Sequence, residues 1–309
     1  MEMLIQILVL AVGFTMLVKG ADWFVDGAAG IAAKFGIPPL VIGLTIVAMG
    51  TSAPEAAVSI TSAIKGNAGI TVGNVVGSNI MNILVILGIA SLIAPIAVQK
   101  STVKVEIPFM LFVTGLLLLL GYSGNKIGFF EGVVLWVAFL AYLGYLLWSA
   151  KKNPAEAEEE RLRPVWKLLL LVAVGMGLIL WGSDLAVDAA SAIAKMLGMS
   201  DRLIGLTIVA LGTSLPELVT SVAASRKGEA DIAIGNIVGS NIFNILFVAG
   251  TTALITPVAF EPGFVIDTLI AAAAGVLLWV CVFRKRKLSR LGGGVMLAAY
   301  AVYFVYLVR

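Results

Sequence analysis

The chain has 309 residues, 60% hydrophobic and 13% charged, with a mean hydropathy of +1.06 and a net charge of +3. So much apolar surface cannot all be buried in a soluble fold, and the basic residues sit between apolar segments, leaving no basic face for nucleic acid. One cysteine, Cys281, and no histidine exclude a disulfide framework, a thiolate metal centre and imidazole catalysis; carboxylate, hydroxyl, amide and backbone carbonyl remain, the ligand set of hard cations.

Spanning a bilayer takes roughly 20 mostly apolar residues per helix. Breaking the chain at charges, Gly and Pro predicts ten spans: 3–32, 38–64, 69–95, 105–122, 128–149, 165–194, 202–224, 231–256, 264–283 and 291–308. The first begins on an acidic flank (MEMLIQ) with no small-residue cleavage site after a short apolar core, so it reads as a span rather than a signal peptide. The one long polar stretch, KKNPAEAEEERLR at 151–163, divides the chain into halves 1–150 and 164–309. Its acidic run 156–160 reads as a solvated loop.

The second span carries VIGLTIVAMGTSAPEAAVS (41–59), and the seventh repeats it as LIGLTIVALGTSLPELVTS (203–221). The third span, GITVGNVVGSNIMNILVILG (69–88), recurs in the eighth as DIAIGNIVGSNIFNILFVAG (231–250), always 162 residues later. Five spans separate equivalent positions, so the second copy must cross the membrane in the opposite direction. The predicted fold is an all-α membrane protein of ten transmembrane helices in two inverted five-helix repeats, an arrangement that brings two half-sites together near the midplane. Loops after odd-numbered spans carry 15 Lys and Arg against 5 on the other side, with Lys19 placed near an end of the first span. The odd loops are therefore predicted cytoplasmic and both termini outside.

Each copy holds one carboxylate at membrane depth, Glu55 and Glu217, directly after Pro54 and Pro216. A proline has no N–H, so the carbonyls of Gly50 and Gly212 should lose their helical partner and become available to a cation. A carboxylate at a helix centre costs at least ~2.5–3.5 kcal/mol, and two facing ones repel unless a cation or proton lies between them. Two bidentate carboxylates and two carbonyls supply six oxygens, which suits Ca²⁺ better than the reluctantly dehydrated Mg²⁺. Ser52, Ser214, Ser78, Ser240, Asn82 and Asn244 would flank this centre and suit Na⁺. Gly73, Gly77, Gly235 and Gly239 have the small-xxx-small spacing of close helix approach. Asn74, Asn79, Asn236 and Asn241 exceed what packing needs and mark interhelical hydrogen bonds or ligands. Asp22 and Asp26 recur as Asp184 and Asp188, either drawing cations to the two mouths or standing as ordinary solvated helix ends.

The paired GTSAPE/GTSLPE and GNVVGSN/GNIVGSN motifs resemble the two α-repeats of the Ca²⁺/cation antiporter superfamily, in its prokaryotic Na⁺/Ca²⁺ exchanger branch, across essentially the whole chain. The resemblance implies an exchanger whose second, third, seventh and eighth spans hold the ions while the first and sixth slide across them. It implies as ligands the carbonyls of Ala48, Thr51, Ala210 and Thr213 with the side chains of Ser52, Ser214, Glu55, Glu217, Ser78, Ser240, Asn82 and Asn244. In well-known exchangers of the family an Asp stands where this chain has Asn244, so the implication does not extend to stoichiometry, electrogenicity or H⁺ or K⁺ coupling. The expected activity is export of Ca²⁺ against Na⁺ influx across the inner membrane, with both ions as transported substrates, no cofactor and no obligatory protein partner. A Ca²⁺/H⁺ antiporter is the first alternative, although that branch typically carries a GNAxE-type motif; a cation channel is the second. A membrane-embedded enzyme is the weakest, for want of a nucleophile–base pair.

Overall fold

A computed structural model describes residues 2–66, 68–152, 154, 163–199 and 210–308. The acidic run 156–160 and the opening of the predicted seventh span at 202 lie outside the described residues. Twelve helices are described: α1 (Glu2–Phe35), α2 (Pro39–Thr51), α3 (Ala53–Ile64), α4 (Ile70–Ile93), α5 (Thr102–Gly124), α6 (Phe129–Lys152), α7 (Val165–Met196), α8 (Ala210–Thr213), α9 (Leu215–Arg226), α10 (Ala230–Ile255), α11 (Pro262–Phe283) and α12 (Arg290–Val308). Eight are long and apolar enough to cross a membrane, or nine if α2 and α3 form one broken span. The chain is a helical membrane protein.

The predicted 38–64 span is in fact broken. Ser52 leaves helical geometry (φ −82°, ψ 9°), and α3 departs from α2 by 49° with Pro54 in its first turn. Ser214 (φ −92°, ψ 3°) separates α8 from α9 in the same way, ahead of Pro216. Proline at a helix start sacrifices no hydrogen bond, which is why each new helix begins there. α4 and α10 are continuous but loosen into π-helical turns at Asn82–Leu87 and Asn244–Ala249, each opening on an asparagine of the predicted ligand set. Such turns concentrate at functional sites.

The expectation of a purely helical chain needs one amendment. Four two-residue strands, β1 (Ile96–Ala97), β2 (Lys126–Ile127), β3 (Val258–Ala259) and β4 (Lys287–Leu288), form antiparallel ribbons, β1 with β4 and β2 with β3. They tie the interhelical turns together at the ends of the bundle. Loop contacts sort the same way: Gln99 Nε2 donates to Asp231 (2.6 Å) and Ser225 Oγ to the Ala94 carbonyl (3.1 Å), whereas Thr256 Oγ1 donates to the Ala63 carbonyl (3.2 Å).

Burial separates the helices into two kinds. Of the most apolar stretch of α10, 94% is buried, and of α4, 78%; the corresponding figures for α1 and α7 are 17% and 28%. α1 and α7 pack on each other through facing glycines. A Cβ on Gly20 would lie 2.8 Å from the Gly175 carbonyl, and one on Gly13 would lie 2.9 Å from that of Gly182. Leu17, Ala21, Phe24, Ile179 and Ala186 form an apolar cluster around this pair, separate from the main core. Gly235 and Gly239 likewise admit α2, with a Cβ at Gly239 meeting Leu44 at 2.8 Å; the segment related to α2 by the repeat, which would face Gly73 and Gly77, opens outside the described residues. Lys19, expected near a helix end, stands exposed in the middle of the 34-residue α1.

Candidate functional site

Both helix breaks deliver a carboxylate to the first turn of the helix that follows. Glu55 (1% exposed) sits at the start of α3 and Glu217 (0%) at the start of α9. The partial positive charge of a helix N-terminus is worth up to about 2 kcal/mol to an anion in a partly buried setting, which offsets some of the burial cost without a basic residue. Each carboxylate lies close to groups of the other half. Ser52 Oγ donates to Glu217 Oε1 at 2.8 Å, while Thr213 and Ser78 lie beside Glu55. Thr51 and Ser240 also lie beside Glu217, and the two carboxylates are near enough to repel each other.

The oxygens left over define the chemistry. Glu55 Oε1 and Oε2, Glu217 Oε2, Ser214 Oγ, Asn82 Oδ1 and Asn244 Oδ1 are buried and accept or donate no hydrogen bond. A buried polar atom without a partner costs about 1–3 kcal/mol, and these six sit on the two helix breaks and at the start of the two π-helical turns, two of them on the same carboxylate. No third His, Cys, Asp or Glu joins the two carboxylates among the described residues, so the donor set is all oxygen.

The amides of α4 and α10 explain why Asn82 and Asn244 present oxygen. Asn82 Nδ2 donates to Asn241 Oδ1 (3.0 Å) and Asn244 Nδ2 to Asn79 Oδ1 (3.2 Å). Asn79 and Asn241 each donate to the other's backbone carbonyl, at 3.1 and 3.2 Å. With every amide N–H₂ engaged, the two Oδ1 atoms remain. A further layer holds the breaks: Asn74 Nδ2 donates to Ser59 Oγ (2.9 Å) and the Glu55 carbonyl (3.1 Å), and Asn236 Nδ2 to Ser221 Oγ (2.9 Å) and the Glu217 carbonyl (3.4 Å). Asn74, Asn79, Asn236 and Asn241 are thus interhelical fasteners. Ser59 and Ser221 were not singled out from sequence, although each lies four residues after its glutamate and hence on the same helix face.

The carbonyls behave differently from expectation. The Gly212 carbonyl is not left free by Pro216, because Ser183 of α7 donates to it at 2.9 Å. The Ser52 N–H reaches back to Gly50 and, at 3.0 Å, to Ala48. Ala48 also accepts from Thr51 Oγ1 (3.3 Å) and Ser240 Oγ (3.4 Å). A hydroxyl or a bend can satisfy a carbonyl that proline orphans, and a one-dimensional reading cannot see either. Asp22 and Asp26 form an ion pair with Lys227 rather than standing solvated and alone. One buried carboxylate escaped notice altogether: Glu106, 3% exposed, accepts a hydrogen bond from Tyr145 away from this centre.

Broken membrane helices that each start on a buried carboxylate, the two near enough to repel, are features of membrane proteins that handle ions. The chain belongs to the sodium/calcium exchanger family, whose pattern matches residues 5–148 and 167–309. It is 40% identical to a putative antiporter, CaxA, of Alkalimonas amylolytica over 97% of this chain and 98% of that one. It is 32% identical to the sodium/calcium exchanger MaX1 of Methanosarcina acetivorans over 98% of both. A solved structure of the sodium–calcium exchanger NCX_Mj, soaked with zero Na⁺ and Ca²⁺, superposes with a TM-score of 0.86 at 32% identity, covering 98% of this chain and 99% of that one.

Proposed function

We propose that this sodium/calcium exchanger exports Ca²⁺ across the inner membrane against Na⁺ influx by alternating access. The observation that carries the reading is the pair of buried, mutually repelling carboxylates Glu55 and Glu217, three of whose four oxygens have no partner and whose two negative charges match one Ca²⁺. We assign that ion to the two carboxylates, and Na⁺ to the flanking Ser52, Ser214, Ser78, Ser240, Asn82 and Asn244. The Ala48, Thr51, Ala210 and Thr213 carbonyls complete the set by family resemblance, with Ala48 having to release a hydroxyl donor first. Coupling follows if the same carboxylates accept either complement but never both in full.

The proposed architecture is ten spans in two inverted repeats, 1–150 and 164–309, joined by 151–163. Its support is a parity argument. β1 and β4 are hydrogen-bonded and so lie on one side of the membrane, which requires an even number of crossings between them. α5, α6, α7, α10 and α11 make five, so the predicted 202–224 segment, containing α8 and α9, is the sixth. The β2–β3 pair requires the same crossing. In this architecture the Lys- and Arg-rich odd loops face the cytoplasm and both termini face outward.

The test is ⁴⁵Ca²⁺ uptake into proteoliposomes loaded with Na⁺, against choline- or K⁺-loaded controls and an imposed pH gradient. Uptake is expected only with internal Na⁺. Uptake driven by the pH gradient and indifferent to Na⁺ would replace this reading with Ca²⁺/H⁺ exchange.

A further inference from the structure

The 162-residue offset relates not only the motifs around Glu55 and Glu217 but also the basic and acidic residues of an ion-paired triad to a second, unpaired set. Lys227, at the C-terminus of α9, donates to Asp26 Oδ1 (2.7 Å) and to the Asp22 carbonyl (2.7 Å), with the Asp22 carboxylate 3.6 Å away. Subtracting the offset from Lys227 gives Lys65, at the C-terminus of α3; adding it to Asp22 and Asp26 gives Asp184 and Asp188 on α7. The local backbone is the same at both lysines. Each caps its helix, at φ −81° and −83°, and each is followed by a glycine at φ +78°. Yet Lys65, Asp184 and Asp188 are exposed and make no hydrogen bond or ion pair among the described residues.

The same one-sidedness runs through the centre. Ser52 donates to Glu217 (2.8 Å), whereas its counterpart Ser214 has no hydrogen-bond partner. By contrast the Asn79–Asn241, Asn82–Asn241 and Asn74–Ser59 bonds all have their counterparts. The asymmetry is therefore seen at Lys227 and at the helix breaks, and not in the reciprocal Asn79, Asn82, Asn241 and Asn244 bonds of α4 and α10. Because the glycine contacts hold α1 and α7 together, a slide of the pair that withdraws Asp22 and Asp26 from Lys227 carries Asp184 and Asp188 with it.

We propose that Lys227 and Lys65 are the paired positioning residues of the exchange cycle. Lys227 holds Asp22 and Asp26 when the carrier faces one way, and Lys65 holds Asp184 and Asp188 when it faces the other, the two latches never closing together. This rests on the alternating-access reading, and each latch would keep one mouth shut until a full ion complement neutralises the centre.

The test uses the full chain in a Cys281→Ser background, with Asp26→Cys/Lys227→Cys and Asp188→Cys/Lys65→Cys variants treated with a short bis-methanethiosulfonate linker in proteoliposomes. Both pairs are expected to cross-link, with yields that move in opposite directions when the Na⁺ gradient is reversed. Each link should stop exchange until a reductant restores it. Lys227→Gln should slow exchange about two- to fivefold, the equivalent of one exposed ion pair, and the swap Lys227→Asp/Asp26→Lys should recover more rate than Lys227→Asp alone. Failure of the 65/188 pair to link in any gradient, or exchange continuing with either link closed, would overturn the latch. Cross-linking is read on the protein itself, so opposed yields without Ca²⁺ flux would count against the choice of substrate and leave the latch standing.

Discussion

α4 and α10 form one kind of helix pair and α1 and α7 another. The first is nearly enclosed and joined by reciprocal amide hydrogen bonds at 3.0–3.2 Å, which have direction and one register. The second is exposed to lipid along most of its length and joined to itself by glycine backbones. Its grip on the rest of the protein includes a small apolar cluster, Ser183 on the Gly212 carbonyl, and the Lys227 ion pair. Apolar contact is non-directional and lets surfaces slide with little penalty, whereas shifting the amide pair breaks several bonds in a medium with no water to replace them. A carrier needs both: a rigid frame for the ligands and a body free to move over it.

Perturbing the ligands should have the largest effect. Glu55→Gln or Glu217→Gln removes one of the two charges and is expected to abolish Na⁺-dependent ⁴⁵Ca²⁺ exchange; exchange unchanged in either variant would break the site assignment. Next come the fasteners. Asn79→Leu removes the side-chain donor to the Asn241 carbonyl and the acceptor of Asn244 Nδ2, and at about 1–3 kcal/mol per stranded polar group it should lower the melting temperature in detergent as well as exchange. A melting temperature that does not move would erase the contrast between rigid and mobile pairs.

Gly20→Leu attacks the other side of the comparison. A side chain there meets the α7 backbone at 2.8 Å, and overpacking of about 1–3 kcal/mol should pry α1 from α7 and slow exchange, with Ca²⁺ binding measured calorimetrically left near wild type. Equal losses in binding and turnover would deny the pair its separate mechanical role. The smallest effects belong to the mouth. Asp26→Asn, which loses the 2.7 Å contact, should slow exchange more than Asp22→Asn, whose carboxylate is 3.6 Å from Lys227 and whose carbonyl survives the change. The reverse order would assign the latch to the wrong carboxylate.

The helix breaks and the buried carboxylates after them were readable from the chain because their signals are local and doubled. Pro before Glu, Ser four residues before Asn, and small residues at helical spacing each have a meaning within one helix turn, and the repeat removes coincidence. The Ser183 hydroxyl on Gly212 was not readable, nor was the reciprocity of Asn79 and Asn241, because both depend on which helices meet. Lys19 was misjudged because the ends of a 34-residue helix cannot be found from hydropathy when it outruns the bilayer. The strand ribbons escaped because two residues carry no periodicity to detect.

By itself the sequence determined that the protein lives in a membrane, that its motifs occur twice, and that two carboxylates follow helix-breaking prolines, since composition, offset and helix-breaking chemistry are properties of the chain alone. The tertiary structure decided which oxygens stay unpartnered, which amides fasten rather than ligate, and which of two equivalent lysines is engaged. Those are questions of contact between residues often more than a hundred positions apart, and two halves nearly identical in motif answer them differently.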